Sequence, residues 1–583
     1  MLGSIEKIID DDIYVKLSID PQKISGIINY YVIITDNKQS FIGEICHIDG
    51  HDCLIKLRGE YKDNNFIYGF AKKPALSAKV SLIDISYVSK ILGNETDENN
   101  SLYIGLSPYF DNLKIYANLN NLFSSHMAVF GNTGAGKSCS FARLLQNLFN
   151  HSNINDSMNL VLFDAYGEYH QAFEYLNQTA NYAFKTYGTN EQVDTNIISI
   201  PPWLLNADDY AILLNVTSTN QMPIIEKALR NVDLFVRPEE EVSKYKNSMI
   251  ATALSDILLS GRPASQIRDQ VTGVLSKFFT KSLNLETIIS QPGYNRTLRQ
   301  CLLVDENGKM NAIELLTNFI KSFITTDISS SFPDGSYPYT LVDFRDALDF
   351  ALIEEGIWKS EKVFDRSNIL MVRLNSLINN EYNKLFEVTD YVTKEDYINN
   401  LFITHNGKKA QLINFNISSI DDRMAKSIVK IFAKLFFNYA KELDKRGSVP
   451  FNIFLEEAHR YVQNDNDIDI IGYNIFERIS KEGRKYGVLL GLISQRPCEL
   501  SETCLSQCSN YFLFKITHPN DLAFIEKSIP GITQDIISNV KTSLPGHCMV
   551  FGSAFKIPLL VNIDMPDPRP SSESVDISGS WFN

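Results

Sequence analysis

Long apolar runs are missing from this 583-residue chain: stretches such as Val488 to Ile493 fall far short of the roughly 20 residues that a membrane-spanning helix needs. The opening residues, Met-Leu-Gly-Ser-Ile-Glu-Lys-Ile-Ile-Asp-Asp-Asp, lack both a basic stretch and a long apolar core. No secretory signal or membrane partner is therefore expected, and a cytoplasmic protein is predicted. A basic excess is also missing. Against 55 Lys and Arg stand 69 Asp and Glu, a net charge of −14, which excludes a wholesale basic coat for nucleic acid but not a local one. Lys426, Lys430, Lys434, Lys441, Lys445 and Arg446 gather on one predicted helix, either as a solvated face or as a phosphate contact. Cysteine is sparse, with eight residues scattered through apparent strands and helices, as suits reduced thiols. Cys46, His47, His51 and Cys53 cluster, but in alternating strand-like sequence where neighbours face opposite ways, so no metal site is expected there. Cys504 and Cys508 stand without a histidine or second pair beside them and are expected in the core.

What the chain does have is the composition of an ordinary globular protein, 44% hydrophobic and 21% charged, with length for three or four domains. Its most informative stretch runs from His126 to Ser138. Gly131, four residues, Gly136, Lys137 and Ser138 reproduce the P-loop pattern, in which backbone N–H groups cradle phosphates, the lysine reaches the β- and γ-phosphates and the hydroxyl ligates Mg²⁺. The flanks agree. Met127 to Phe130 suits a buried parallel strand, and Phe141, Leu144, Leu145, Leu148 and Phe149 recur at helical spacing after the loop. The predicted nucleotide-binding residues are Asn132, Thr133, Gly134, Ala135, Gly136, Lys137, Ser138 and Cys139, with ATP and Mg²⁺ as ligands.

Before the P-loop, residues 1–95 show short Ile-, Val- and Tyr-rich runs broken by Asp, Asn and Gly, the rhythm of a small antiparallel barrel or sandwich. The polar stretch Gly93–Asn100 is the expected linker. After the P-loop helix, Leu160–Phe163 is a further strand ending in Asp164 and Glu168, at the sheet edge where α/β folds bind ligands. These two acids are candidates to orient Mg²⁺-bound water, or serve the turn. From Trp203 to about residue 350 the periodicity is helical, which predicts a helical insertion ending in the loop Ser329–Ser336. The core is expected to resume at Ile369–Leu374 and Gln411–Asn416. It then continues through an amphipathic helix carrying Met424, Ile428, Ile431, Phe432, Leu435, Phe436 and Tyr439 on one stripe.

A second set of residues belongs to the same chemistry. The strand-like run Phe451–Leu455 ends in Glu456 and Glu457, and phosphoryl transfer needs Mg²⁺ held on the phosphates and a water in line. Glu456 is assigned to the metal with Ser138, and Glu457 to polarising the attacking water. Val488–Ser494 delivers Gln495 to the same edge, where an amide can sense the γ-phosphate. Arg484 can stabilise transition-state charge, most plausibly from one subunit into the next, or else pair with Glu477 or Glu482 on the surface.

Taken together, Gly131–Ser138 with His126 ahead of it, Asp164–Tyr169, Glu456-Glu457-Ala458-His459, Glu482–Lys485 and Ser494–Pro497 resemble the HerA branch of the HerA–FtsK ATPases. The resemblance implies an α/β RecA-like P-loop ATPase core with an N-terminal β-barrel and a helical-bundle insertion, assembled as a homo-hexamer. The corresponding boundaries are a barrel over 1–95, the first part of the core over 101–204, the insertion over 205–350, the second part of the core over 351–562, and a brace or tail over 563–583. It further implies Lys137 and Ser138 as the Walker A pair, Glu456 and Glu457 as the Walker B acids, Gln495 as sensor and Arg484 as a trans arginine finger. Relatives of this kind translocate along or unwind double-stranded DNA, with a nuclease or a sirtuin-like NAD-consuming effector, in end processing or antiphage defence. The rival reading is a nucleotide-gated scaffold that switches a toxic effector.

Overall fold

The computed structural model describes residues 1–19, 26–36, 39–62, 65–93, 100–110, 113–150, 157–190, 192, 194–325, 337–354, 361–571 and 581. Most of the expected linker (94–99), the loop 329–336, and residues 572–580, 582 and 583 of the expected tail lie outside the described residues. The chain divides into two compact units, one of Met1–Asn196, Ile398–Asn464 and Asn474–Asn583, the other of Ile197–Tyr397 and Asp465–Tyr473.

In the first unit the N-terminal strands are β1 (Gly3–Ile9), β2 (Asp12–Leu17), β3 (Tyr31–Asp36), β4 (Gln39–Asp49), β5 (Asp52–Lys62), β6 (Asn65–Tyr68) and β7 (Lys79–Leu82). They run in the order β2-β1-β7-β3-β4-β5, and β2 pairs back onto β5, so six antiparallel strands close a barrel with β6 hung on the outside of β5. Strict alternation builds it: in β2 Ile13, Val15 and Leu17 are buried while Tyr14 and Lys16 face out. Register shifts at Ile42/Gly43 and Ile45/His47 bend β4, and bulges of this kind let a six-stranded sheet curl shut.

The main sheet contains β8 (Ser101–Leu106), β9 (Lys114–Asn118), β10 (Met127–Phe130), β11 (Leu160–Asp164) and β12 (Phe184–Tyr187); β13 (Ile288–Gln291) and β14 (Tyr294–Thr297) lie in the second unit. It is completed by β15 (Leu412–Asn416), β16 (Phe451–Leu455), β17 (Val488–Ser494), β18 (Asn510–Leu513), β19 (His547–Gly552) and β20 (Leu559–Asn562). The order is β12-β15-β11-β16-β17-β10-β18-β19-β20-β8-β9, parallel from β12 to β18 and antiparallel beyond. Every residue of β10, β11, β16, β17 and β18 is buried. Strands covered on both faces read as unbroken apolar runs, which is why β10, β11, β16 and β17 were visible in the sequence, whereas β18, opening on Asn510 and only four residues long, was not. The helix Lys137–Phe149 covers one face; Asp422–Glu442 packs Phe432 against Phe163 and Phe415 of the sheet.

The second unit holds the helices Ala207–Leu213, Met222–Asn231, Glu239–Leu258, Ala264–Lys277, Ile313–Lys321, Leu341–Glu354 and Glu361–Ile378, and Glu239–Leu258, Ala264–Lys277, Ile313–Lys321 and Leu341–Glu354 share a core that includes Ile250, Leu254, Phe278 and Phe350. It also contains the hairpin β13–β14, turned by Pro292 and Gly293, the latter at φ 92°. Ile369–Leu374, expected to return the chain to the core, lies instead within the helix Glu361–Ile378. Leu370 and Leu374 are buried one turn apart, whereas Ile369 and Val372 are exposed. A six-residue apolar run fits either period, and here the helical one wins. Among the described residues, no helix is long and apolar enough to cross a membrane.

Candidate active site

The strand order builds the site. Because β17 lies between β10 and β16, the carboxyl ends of β10, β17, β16 and β11 sit side by side and bring together the P-loop, Gln495, the Glu456–Glu457 pair and Asp164. A cleft of about 660 Å³ opens at this edge, in the range of small-molecule sites. It is lined by Thr133, Gly134, Gly136, Lys137, Ser138 and Cys139 on the P-loop side and by Glu168, Glu456, Glu457 and Gln495 opposite.

The loop's shape follows from its glycines. Gly134 and Gly136 have φ of 74° and 100°, a region that side chains disfavour. A Cβ on Gly131 would come within 2.5 Å of the Phe514 Cβ on the neighbouring strand's continuation. The helix Lys137–Phe149 begins without a side-chain cap, so its first N–H groups and its dipole are left for an anion. Lys137 donates from Nζ to the carbonyls of Gly131 (2.7 Å) and Asn132 (3.1 Å). Burial pushes its ammonium downward, opposed by Glu457, Glu456 and Glu168. Asn132 and Thr133 are tied across the sheet edge, Asn132 to the Thr517 hydroxyl at 2.8 Å and Thr133 to Oε1 of Gln495.

The acids divide into a structural one and a reactive set. Asp164 is fully buried and accepts from the backbone N–H groups of Gly167 (2.7 Å), Glu168 (3.0 Å) and Tyr169 (3.0 Å). It therefore serves the turn, and through it sets Glu168, whose carboxylate takes a hydrogen bond from Ser138. Glu456 is buried and accepts from Ala165 N–H at 3.1 Å; burial, then Asp164, Glu168 and Glu457, hold its carboxyl well above the ordinary range. Glu457 occupies the left-handed region at φ 48°, ψ 48°, strained for a residue with a side chain. Its Oε2 is buried and makes no hydrogen bond among the described residues.

Three carboxylates around one half-buried lysine, with one carboxylate oxygen free of hydrogen bonds, are chemistry that suits a divalent cation. No group of three or more His, Cys, Asp or Glu among the described residues is arranged to hold a metal alone. Such an ion must therefore draw most of its ligands from phosphate and water.

His126, just ahead of β10, is buried and its Nδ1 accepts from Leu490 N–H at 2.9 Å. Burial pushes its imidazole down to about 4, so it is a neutral clamp between β10 and β17. Arg484 is exposed on the helix Ile475–Tyr486 and does not line the cleft of its own chain. Its suggested surface partners are engaged elsewhere: Glu477 accepts from Ser501 (2.8 Å) and faces Lys481 (3.6 Å), and Glu482 faces Arg478 (4.0 Å).

The basic helix needs correcting. Lys430 and Lys434 are only 2% and 4% exposed, because the helix Asp422–Glu442 is covered on most of its circumference, and they offer no phosphate-binding surface. Lys445 and Arg446 do stand at the surface beyond its end. The cleft also has a wall that sequence reasoning missed: Pro545 and Gly546 before β19, and Asp564 and Met565 after β20. Gly546 donates its N–H to Ala135 O at 3.1 Å, so this wall touches the P-loop directly. The Pro-Gly pair marks a turn, but nothing local says that the turn meets the nucleotide site.

An uncapped P-loop helix, its lysine and paired acids two strands away at the same sheet edge define an ATP-hydrolysing P-loop enzyme. Residues 102–328 match the family described as "Helicase HerA, central domain". The chain is 23% identical over 583 residues to the probable DNA double-strand break repair helicase HerA of Methanocaldococcus jannaschii, covering 99% of this chain and 95% of that protein. It is 24% identical over 293 residues to the DNA double-strand break repair helicase HerA of Saccharolobus solfataricus, covering 49% and 55%. VirB4 of Thermoanaerobacter pseudethanolicus superposes with a TM-score of 0.44 at 12% identity, covering 80% of this chain and 97% of that one. The chain is thus an ATPase similar to the HerA helicases, most specifically over residues 102–328.

Proposed function

We propose that this ATPase is a DNA motor: a homo-hexameric ring that couples ATP hydrolysis to movement along, or unwinding of, double-stranded DNA. The similarity to HerA helicases along nearly the whole chain supports this reading. The observation that carries the chemistry is the buried Oε2 of Glu457, free of hydrogen bonds among the described residues, beside a P-loop cleft. In the proposed reaction Glu457 takes a proton from water as its oxygen attacks the γ-phosphorus, the bond to the β-phosphate oxygen breaks, and ADP and phosphate leave. P-loop N–H groups and Lys137 hold the phosphates, and Gln495 orients against the γ-phosphate. Ser138 and Glu456 would hold Mg²⁺, Glu456 through water; the ion supplies charge neutralisation on the phosphates. Arg484 reaches the nucleotide of a neighbouring subunit, consistent with its exposure and its distance from the cleft of its own chain. Residues 1–95 are a partner-docking barrel, 205–350 a helical insertion and 563–583 a brace, and a nuclease or NAD-consuming effector in defence or end processing is the proposed partner.

Steady-state ATP hydrolysis with and without duplex DNA at two salt concentrations tests this, beside Lys137→Ala and Glu457→Gln. Stimulation by DNA that fades with salt is expected, because the contact is to phosphates. Hydrolysis indifferent to DNA but raised by an effector overturns the motor in favour of a nucleotide-gated scaffold.

A further inference from the structure

The corner between the two acids and the sensor strand holds a histidine to which nothing above gives a role. His459 lies on the single turn Ala458–Arg460 after Glu457. Its Nδ1 is 3.2 Å from Glu457 Oε2 and 3.1 Å from Ser494 Oγ. Ser494 is the last residue of β17 and fully buried, and its Oγ already accepts the Arg496 N–H at 3.0 Å.

The contacts fix the histidine's orientation. Nδ1 has a single in-plane direction, and it is engaged with Ser494 Oγ. Oε2 therefore stays without a hydrogen bond although it lies 3.2 Å from the same nitrogen. A ring released from Ser494 is free to turn Nδ1 toward Oε2 and occupy the lone pair that a water proton needs. The backbone of Ser494 is in turn tied to the nucleotide site, since its carbonyl accepts from Gly131 N–H (3.4 Å) and the next residue, Gln495, accepts from Thr133.

We propose that Ser494 and His459 are positioning residues that form a relay from the sensor strand to Glu457. Ser494 holds the His459 ring in the orientation that leaves Glu457 free as base, so the register of β17 against the P-loop decides whether the base is available. This rests on Glu457 acting on the attacking water.

The test is a double-mutant cycle in the full chain, with Ser494→Ala, His459→Ala and the pair, reading kcat and KM for ATP separately and nucleotide affinity by equilibrium binding. Ser494→Ala is expected to lower kcat about tenfold or more with KM and affinity changed less than about threefold, and His459→Ala to add little on top of it. Ser494→Thr, which keeps the hydroxyl, is expected to retain most of kcat. Additive losses, losses confined to KM, or a Ser494→Ala enzyme with unchanged kcat would overturn the relay. Glu457→Gln separates the two levels: if it still hydrolyses ATP at the parent rate, the base assignment fails and the relay with it; if it is inactive while Ser494 and His459 act independently, only the relay fails. Melting curves and retained nucleotide affinity show that each variant is folded.

Discussion

Thr133 of the P-loop donates its hydroxyl proton to Oε1 of Gln495, joining residues 362 positions apart and closing the loop against the end of β17. With its oxygen engaged there, the amide has its NH₂ end to offer a γ-phosphate oxygen, the polarity that an anion requires. Gln495→Glu reverses this by adding a carboxylate to a cleft that already holds Glu168, Glu456 and Glu457. We expect kcat to fall about 100-fold, the scale of losing one oriented donor at a charged transition state. Single-turnover hydrolysis at saturating ATP measures it, and a rate within threefold of the parent would refute the sensor assignment.

His126 gives the protein a defined acid sensitivity. Its pKa falls from an ordinary 6.5 to about 4 on folding, mainly through burial, so the unfolded chain binds the extra proton more readily. The stability linked to this residue is therefore complete above pH 6.5 and is lost as pH falls through about 4. A shift of this size corresponds to about 3 kcal/mol at most. His126→Gln, which keeps an acceptor toward Leu490 N–H, should unfold with a shallower pH dependence between 6.5 and 4 in urea titrations. A parallel curve for the two proteins would show that other groups carry the acid limb.

The barrel is clamped to the helix that leads into the cleft wall. Arg58 of β5 holds Glu44 of β4 at 2.8 Å and lies 3.7 Å from Asp535, which Lys56 also grips at 3.1 Å. Asp535 lies in the first turn of the helix Gln534–Thr542, which ends four positions before Gly546 and its bond to the P-loop. Asp535 is 42% exposed in its side chain, so Asp535→Ala should cost only about 1 kcal/mol, shrinking in high salt. Its informative effect is a raised KM for ATP at low salt that disappears at high salt, where the parent's clamp is screened too. An unchanged KM at both would mean that the barrel and the cleft wall are independent.

Much of the site was legible because it is local. A P-loop declares itself in eight residues, and Glu456, Glu457 and Gln495 each end an apolar run long enough to be recognised as a buried strand. Features that depend on strand order were not. Pro545, Gly546, Asp564 and Met565 join the cleft only because β19 and β20 extend the sheet antiparallel past β18, and no spacing in the chain signals that. Lys430 and Lys434 misled for a related reason: a helix can bury lysine stems on a face whose polar spacing looks solvent-exposed. Ile369–Leu374 was ambiguous by length alone. The hairpin β13–β14, inside a stretch read as helical, was missed because the runs flanking Pro292 and Gly293 are short and polar.

The segment after β20 runs from the cleft wall along the P-loop helix, and one buried glutamine fastens it. Gln146, 2% exposed, donates from Nε2 to Pro568 O (2.8 Å) and Ala172 O (3.2 Å) and accepts from Asp567 N–H at 3.0 Å. Farther on, Ser571 donates its N–H to Glu168 O at 2.8 Å, so one strap connects Met565 at one wall of the cleft with the acid that binds Ser138 at the other. Gln146→Leu keeps the volume but strands an N–H and two carbonyls, which should cost about 2–4 kcal/mol in denaturant unfolding. If the strap also sets the cleft walls, the same variant binds ATP more weakly at temperatures where it is fully folded. A variant that loses stability but keeps the parent's affinity would limit the strap to a structural role, because the walls would then hold their places without it.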